Sequence, residues 1–130
     1  MSDLRILDRA ELSVHRDRIL LLLSRLAPEM MHLSPTQMLT KAERGEWQMW
    51  TAGDVDFVAA TSVRQMADKT TRLIWEGCAG DHADWPVLAR KVEWWSRRYG
   101  CEKARLYGRR GWVRVLGYEP VAVIAERELS

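Results

Sequence analysis

The chain has 130 residues, of which 47% are hydrophobic and 29% are charged, and its formal net charge is +2. This length fits one domain, and this balance is typical of a globular protein rather than a disordered one. The longest apolar run, residues 19–23, is far shorter than the roughly 20 residues needed to cross a bilayer, and the start of the sequence has no signal-peptide pattern. We therefore expect a single domain over residues 1–130, located in the cytoplasm or in a particle assembled there.

Two helices with clear capping signals are predicted in the first third of the chain. Asp8 is a typical N-cap, and the apolar residues that follow it repeat at helical spacing over residues 9–26. Ser34 caps the second helix, Gln37 completes a capping box, and Gly45 ends the helix.

Alternating and short apolar segments predict a mixed sheet around one further helix. Asp84 caps this helix, and Gly100 ends it. The predicted strands are residues 4–7, 47–51, 55–63, 71–79, 104–107 and 121–128, and a brief helix covers residues 109–116. The expected order is β-α-α-β-β-β-α-β-α-β, an α/β (α+β mixed sheet) fold in a single domain.

The cysteines do not indicate a metal centre. Cys78 and Cys101 both fall in predicted structured segments, and we interpret them as buried thiols. Together with His82 they do not make a spacing that is typical of a zinc site, so no metal is predicted.

Positive charge is concentrated in the segment from residue 88 to residue 115. It carries nine basic and two acidic residues, a net +7, which leaves −5 for the rest of a chain whose total is +2. Such asymmetry favours an anionic partner, such as nucleic acid, phosphate or an acidic protein surface. The alternative is a solvated helix face followed by a loop. No familiar nucleic-acid motif is present, so a nucleic-acid-binding module ranks last.

The predicted element order resembles the GNAT acetyltransferase superfamily over nearly the whole chain. Residues 4–10 also resemble its first strand and entry to the first helix, and Gly117-Tyr118 stands where family members commonly have a Gly-aromatic pair. The resemblance implies an acetyl-coenzyme A site between the fourth strand and the next helix. The family uses a Gln/Arg-x-x-Gly-x-Gly/Ala loop there, whose amides and helix N-terminus hold a diphosphate.

The matching loop, residues 77–84, departs from that pattern. It contains no Gln or Arg, and Gly80 has no second glycine two positions later. Asp81 and Asp84 place carboxylates where the phosphates would lie, and Asp84 competes for the helix N-terminal amides. We therefore expect no cofactor, and acetyl-coenzyme A remains the alternative.

The catalytic residues that the resemblance implies are also missing. Many family members have a tyrosine about one helical turn before the Gly-aromatic pair, where this chain has Val113. Glu76 is the alternative general base, although a strand glutamate here is expected to face solvent, and Tyr118 is the alternative acid. A divergent enzyme would also need an open cleft between the fourth and fifth strands.

The segment from Gly108 to Leu116 brackets two arginines with glycines and follows them with a tryptophan. This pattern resembles small GNAT-like phage proteins, some of them similar to internal virion proteins of short-tailed phages. The resemblance implies a non-catalytic, virion-associated or morphogenetic role through contact with another protein. The exposed aromatic and forked cationic side chains suited to such an interface are Trp94, Arg97, Arg98, Arg109, Arg110 and Trp112.

Overall fold

The computed structural model describes residues 4–26, 31–81, 84–108 and 110–129, with the backbone alone at Arg110. In these ranges the elements are β1 (Arg5–Ile6), α1 (Arg9–Val14), α2 (Arg16–Leu23), α3 (Pro35–Glu43), β2 (Gln48–Thr51), β3 (Phe57–Gln65), β4 (Thr71–Gly80), α4 (Trp85–Arg97), β5 (Cys101–Leu106) and α5 (Arg110–Leu116).

The five strands form one mixed sheet in the order β1-β2-β3-β4-β5. The first three pairings are antiparallel, and β5 runs parallel to β4. The parallel pair is the one joined through α4, because a crossover connection is needed to start a second strand at the same edge of the sheet. The mixed α/β fold predicted from the sequence is therefore confirmed.

Helices cover both faces of the sheet, because residues that alternate along β3 enter two different cores. Val58 and Ala60 pack in the core beneath α1, α2 and α3. Phe57 and Ala59 pack in the core beneath α4. The first core includes Ile19, Leu22, Met38 and Leu39, and the second includes Leu73, Trp75, Leu88 and Val92.

The helix caps lie where the sequence predicts them. The Asp8 carboxylate accepts a hydrogen bond from the amide of Glu11 at 2.8 Å. Ser34 and Gln37 form the full capping box, with both reciprocal hydrogen bonds present. Asp84 accepts from the amide of Val87 at 3.2 Å. Each cap satisfies an amide that has no partner within its own helix.

The predicted helix over residues 9–26 is wrong in one respect, because it is divided into α1 and α2. His15 leaves the helical conformation, with φ −100° and ψ 18°, and serves as the C-cap of one helix and the N-cap of the next. The interruption lasts one residue and still leaves Leu12 and Ile19 buried in the same core. No helix in the described ranges combines the length and apolar composition needed to cross a bilayer.

The last predicted strand, residues 121–128, is also wrong. This segment is neither helix nor strand, and its side chains are exposed. A strand requires a hydrogen-bonded neighbour, and no ladder reaches this segment among the described residues. The observed order is therefore β-α-α-α-β-β-β-α-β-α.

Candidate functional site

The strands β4 and β5 separate at a β-bulge. Their parallel pairing ends at Trp75 and Leu106. On the other side of β4, Trp75 pairs with Thr61 while Gly77 pairs with Ala60, so Glu76 is an extra residue in the register. A bulge bends its strand, and the residues of β4 beyond Glu76 pair with β3 alone. This divergence lies where a divergent enzyme would need an open cleft.

Three aromatic rings lie in successive contact near the end of β4. Phe57 on β3 meets Trp85 at the start of α4, with ring centroids 5.3 Å apart. Trp85 in turn meets Trp112 of α5 at 5.2 Å, and both contacts are edge-to-face. Cys78, Leu106 and Leu116 also pack against this core. Side chains of α4 and α5 therefore cover the region where β4 leaves β5.

The Tyr118 hydroxyl lies in a hydrogen-bond chain within the same region. It accepts from Nε1 of Trp75 at 2.7 Å and donates to the carboxylate of Glu93. Burial raises the pKa of Tyr118, and the hydrogen bond to Glu93 raises it further, although the Trp75 donor opposes both effects. The hydroxyl thus stays protonated, and its proton is directed at Glu93 rather than at an open space.

Glu76, the alternative general base, does not face solvent as expected, since its side chain is only 8% exposed. Its carboxylate accepts from the Ser62 hydroxyl at 2.7 Å and pairs with Nη2 of Arg64 at 2.6 Å. The bulge explains the difference, because an extra residue changes which side of the sheet a side chain meets. Proton abstraction by Glu76 would require this ion pair to open.

The loop after β4 begins at Gly80, which lies close to the backbone of β3. It ends at Asp84, whose carboxylate caps the N-terminus of α4. Gly80 has φ +118°, and a Cβ added there would lie 2.6 Å from the Cα of Phe57 and 2.8 Å from the carbonyl oxygen of Asp56. Asp81 is exposed, and Asp84 already accepts from the amide of Val87. A carboxylate therefore uses a donor that a bound phosphate would require. His82, the third residue of the Cys78–Cys101 set without a zinc-site spacing, lies outside the described residues.

The predicted interface residues divide between two places. The Trp94 side chain is 58% exposed, and the Arg98 guanidinium lies over its ring, 4.1 Å from the centroid. Arg97 is exposed beside them. Trp112 instead contacts Trp85, which precedes Trp94 by nine residues, or about 14 Å along the helix. Arg109 and the side chain of Arg110 lie outside the described residues.

An open groove of about 520 Å³ adjoins Trp94. Its walls come from α4 on one side and from β2 and the residue before β1 on the other, so that apolar side chains lie beside two cations. The lining residues are Leu4, Trp50, Val87, Arg90, Lys91, Trp94 and Trp95. Within the described ranges, no group of His, Cys, Asp and Glu side chains is arranged to hold a metal ion.

Sequence reasoning missed the Trp75–Tyr118–Glu93 chain. Glu93 and Tyr118 are 25 positions apart, so no local spacing connects them. One signal was available: Glu93 is the only acidic residue in α4. An acid on such a helix requires a donor once it is half-buried.

Cys78 gives a pH-dependent prediction. Burial raises the pKa of its thiol to about 12, from an ordinary value near 9. The unfolded chain therefore loses this proton first as pH rises, so the stabilisation is complete below pH 9 and is lost between pH 9 and 12. Chemical denaturation across that range should show a smaller decline in the free energy of unfolding for Cys78→Ala than for the natural chain. Cys101→Ala should change the decline less, because a hydrogen bond with Ser96 opposes the effect of burial there; equal slopes for all three proteins would contradict the assignment.

The fold is shared with solved acetyltransferases. A structure of an acetyltransferase from Trypanosoma brucei matches with TM-score 0.63 and 19% identity, covering 98% of this chain and 99% of that one. An aminoglycoside antibiotic 6'-N-acetyltransferase from Acinetobacter haemolyticus matches with TM-score 0.69 and 13% identity, covering 98% of each chain. The glucosamine-6-phosphate N-acetyltransferase from Arabidopsis thaliana matches with TM-score 0.66 and 9% identity, covering 98% of this chain and 97% of that one.

Sequence comparison, unlike the comparison of structures, finds no relatives of the chain. No protein-family model and no curated protein sequence matches the chain. At these identities, structural likeness establishes the fold alone, since one fold hosts many activities. The chain has the GNAT fold.

Proposed function

We propose that this chain keeps the GNAT fold without acetyl transfer and acts by binding another protein through the exposed surface of α4. The main observation that supports the loss of acetyl transfer is that side chains of α4 and α5 cover the end of β4. The Tyr118 hydroxyl bridges Trp75 of β4 and Glu93 of α4, and Trp112 of α5 contacts Trp85. A cofactor arm between β4 and β5 would have to displace these side chains and leave the half-buried Glu93 without its donor.

The electrostatics of the loop support the same proposal. Asp84 caps α4, and Asp81 adds a second carboxylate three residues earlier. A diphosphate brought to this helix start would meet like charges and would compete with Asp84 for the amide of Val87. The two obstacles are independent, because one is steric and the other is electrostatic.

The exposed face of α4 supports the proposed binding of another protein. Trp94 holds a large apolar ring in solvent with Arg98 stacked over it. Tryptophan and arginine are over-represented among the residues that contribute most to protein interfaces. The adjacent groove adds apolar walls beside Arg90 and Lys91, and this combination suits a partner that presents an apolar side chain flanked by acids.

The proposal also covers the biological role that this protein binding would serve. The Gly-Arg-x-Gly-Trp pattern in residues 108–112 favours a virion-associated or morphogenetic role, in which the partner is another phage protein. The alternative is a divergent N-acetyltransferase. The acetyltransferase structures that share the fold and the divergence of β4 from β5 favour it, but Tyr118 would first have to leave Glu93.

Calorimetric titration with acetyl-coenzyme A, and separately with free coenzyme A, tests the first half. We expect no heat of binding up to about 1 mM ligand, which corresponds to less than about 4 kcal/mol of binding free energy. A dissociation constant in the micromolar range for either ligand would overturn the proposal in favour of the enzyme.

Capture of proteins from an extract of the source cells tests the second half. A partner retained by the immobilised natural chain should be lost with Trp94→Ala. It should remain with Val14→Ala, which shortens a 78% exposed side chain in the opposite helical layer. Equal retention by both variants, or no retained protein, would count against a partner surface on α4.

A further inference from the structure

Basic side chains lie in a line across β3, β4 and β5. Arg64 of β3 lies directly opposite Arg72 of β4, and Arg72 is the register partner of Lys103 on β5. Residues paired in this way point to the same face of a sheet, and neighbouring strands are about 4.8 Å apart. We call Arg64, Arg72 and Lys103 the cationic row. Its outer Cα atoms are therefore about 10 Å apart.

The cationic row lies on the face of the sheet opposite α4. Leu73 follows Arg72 along β4 and packs in the core beneath α4, so Arg72 points to the other face. Ala104 packs in the same core and places its neighbour Lys103 on that other face of β5. Lys103 is exposed, and the side chain of Arg64 is 51% exposed. Solvent therefore reaches the row.

The cationic row is unfavourable for the fold by itself. Like charges on directly opposite residues destabilise a sheet, and the row contains two such pairs in succession. Arg64 is compensated, because its Nη2 pairs with the Glu76 carboxylate at 2.6 Å. Arg72 donates to the Thr70 hydroxyl, and among the residues that the structure describes no acid forms an ion pair with Arg72 or Lys103. A bound anion between these two cations would replace repulsion by attraction.

The electrostatic field of Arg72 and Lys103 reaches an exposed carboxylate in the turn between β3 and β4. Asp68 accepts hydrogen bonds from the hydroxyl and the amide of Thr70, at 2.6 and 3.0 Å. These hydrogen bonds are the main cause of the lowered pKa of Asp68, and the charges of Arg72 and Lys103 lower it further. An anion in direct contact with both cations would be attracted more strongly than this carboxylate, because the attraction grows as the distance falls.

A further cation and an exposed aromatic ring continue this face along β5. Arg105 lies two residues after Lys103 and therefore points to the same face. Nη1 of Arg105 donates to the Tyr107 hydroxyl at 3.3 Å, and Tyr107 is 54% exposed. Proteins bind single-stranded nucleic acid with this combination, in which cations contact successive phosphates and a ring stacks on a base. The ring distinguishes such a strand from an acidic peptide, which has no base, and from a duplex, whose bases are stacked on one another.

We propose that this face of the sheet binds a single-stranded nucleic acid, with backbone phosphates at Arg72, Lys103 and Arg105 and a base stacked on Tyr107. The forked donors of arginine match the geometry of a phosphate. The cations follow one another along an open face, which suits a linear polyanion better than a single small anion. The face lies on the opposite side of the sheet from α4, so the inference is independent of the proposed protein partner.

Fluorescence anisotropy of a labelled oligothymidylate, titrated with the full chain at several salt concentrations, tests the proposal. We expect the logarithm of the binding constant to fall with the logarithm of the salt concentration with a slope of about −2, because three phosphate contacts contribute about 0.7 each. Arg72→Gln combined with Lys103→Gln should weaken binding at least about tenfold at low salt and should reduce the slope by about 1.4. Tyr107→Ala should weaken binding at least about fivefold with an unchanged slope, because stacking is not ionic.

Two variants separate a site from a general effect of charge. Arg9→Gln removes the same charge from an exposed arginine at the start of α1, at the opposite edge of the sheet, and should change the affinity less than about twofold. Lys103→Arg keeps the charge in the cationic row and should retain binding, which separates loss of the site from loss of the fold.

Several outcomes would overturn the proposal. The first is an anisotropy that does not change with the natural chain at low salt. The second is an equal loss of affinity with Arg9→Gln and with the double variant, which would show that only net charge matters. An equal loss with Arg97→Gln would place the binding on α4 instead. Tighter binding of a duplex of the same length, or of polyglutamate in competition, would mean that the face does not recognise a single strand.

Discussion

Gly80→Ala is expected to lower the free energy of unfolding by about 3–5 kcal/mol. Gly80 has φ +118°, which a residue with a Cβ adopts only under strain. The new methyl group would also lie 2.6 Å from the Cα of Phe57 and 2.8 Å from the carbonyl oxygen of Asp56. Both contacts are with backbone, so no side chain can rotate to relieve them. Urea denaturation followed by tryptophan fluorescence measures the change.

Gly45→Ala is the matched control for this prediction. Gly45 also has a positive φ, +75°, but a Cβ added there would meet nothing within 4 Å. The control therefore carries the conformational penalty without the clash, and we expect a cost of about 1–2 kcal/mol. Equal costs for the two variants would mean that β3 and β4 do not approach each other as closely at Gly80 as described.

The parts of the fold that were predictable from the sequence are those that depend on neighbouring residues. Ser34 and Gln37 interact within one helical turn, so a capping box can be recognised from four positions. Asp84 is similar, because its acceptor role depends only on the amides of the helix that it begins. These local signals placed the helix that crosses from β4 to β5, and with it the parallel strand pair.

The features that were not predictable depend on residues far apart in the chain. The bulge at Glu76 is a mismatch between two strands, so it has no signature in β4 alone. The ion pair of Glu76 with Arg64 follows from that register and spans 12 positions. The absence of a strand over residues 121–128 has the same cause: their apolar alternation satisfies the local requirement, but a strand also needs a hydrogen-bonded neighbour, and no described strand pairs with them.

Tyr118→Phe is expected to lower the free energy of unfolding by about 2–3 kcal/mol. The substitution removes one hydroxyl and no carbon, so packing is retained. Nε1 of Trp75 loses its acceptor and the carboxylate of Glu93 loses its donor. Losing a partner costs more than losing the bond itself, because each polar group left without its partner stays desolvated. Tyr107→Phe is the control, because Tyr107 is exposed and its hydroxyl accepts only a long hydrogen bond of 3.3 Å from Arg105. For this variant we expect the free energy of unfolding to change by less than about 0.5 kcal/mol.

The same substitution has a distinct effect at alkaline pH. Because burial and Glu93 raise the pKa of Tyr118, the unfolded chain releases the phenol proton before the folded chain does. The stabilisation is therefore complete below about pH 10 and declines above it, by at most about 1.4 kcal/mol per pH unit. Tyr118→Phe should remove this contribution, so the stabilities of variant and natural chain should converge as pH rises above 10. A difference that stays constant with pH would mean that the folded chain does not hold the phenol proton more tightly than the unfolded chain. That result would contradict the buried hydrogen bond between Tyr118 and Glu93 at the covered end of β4.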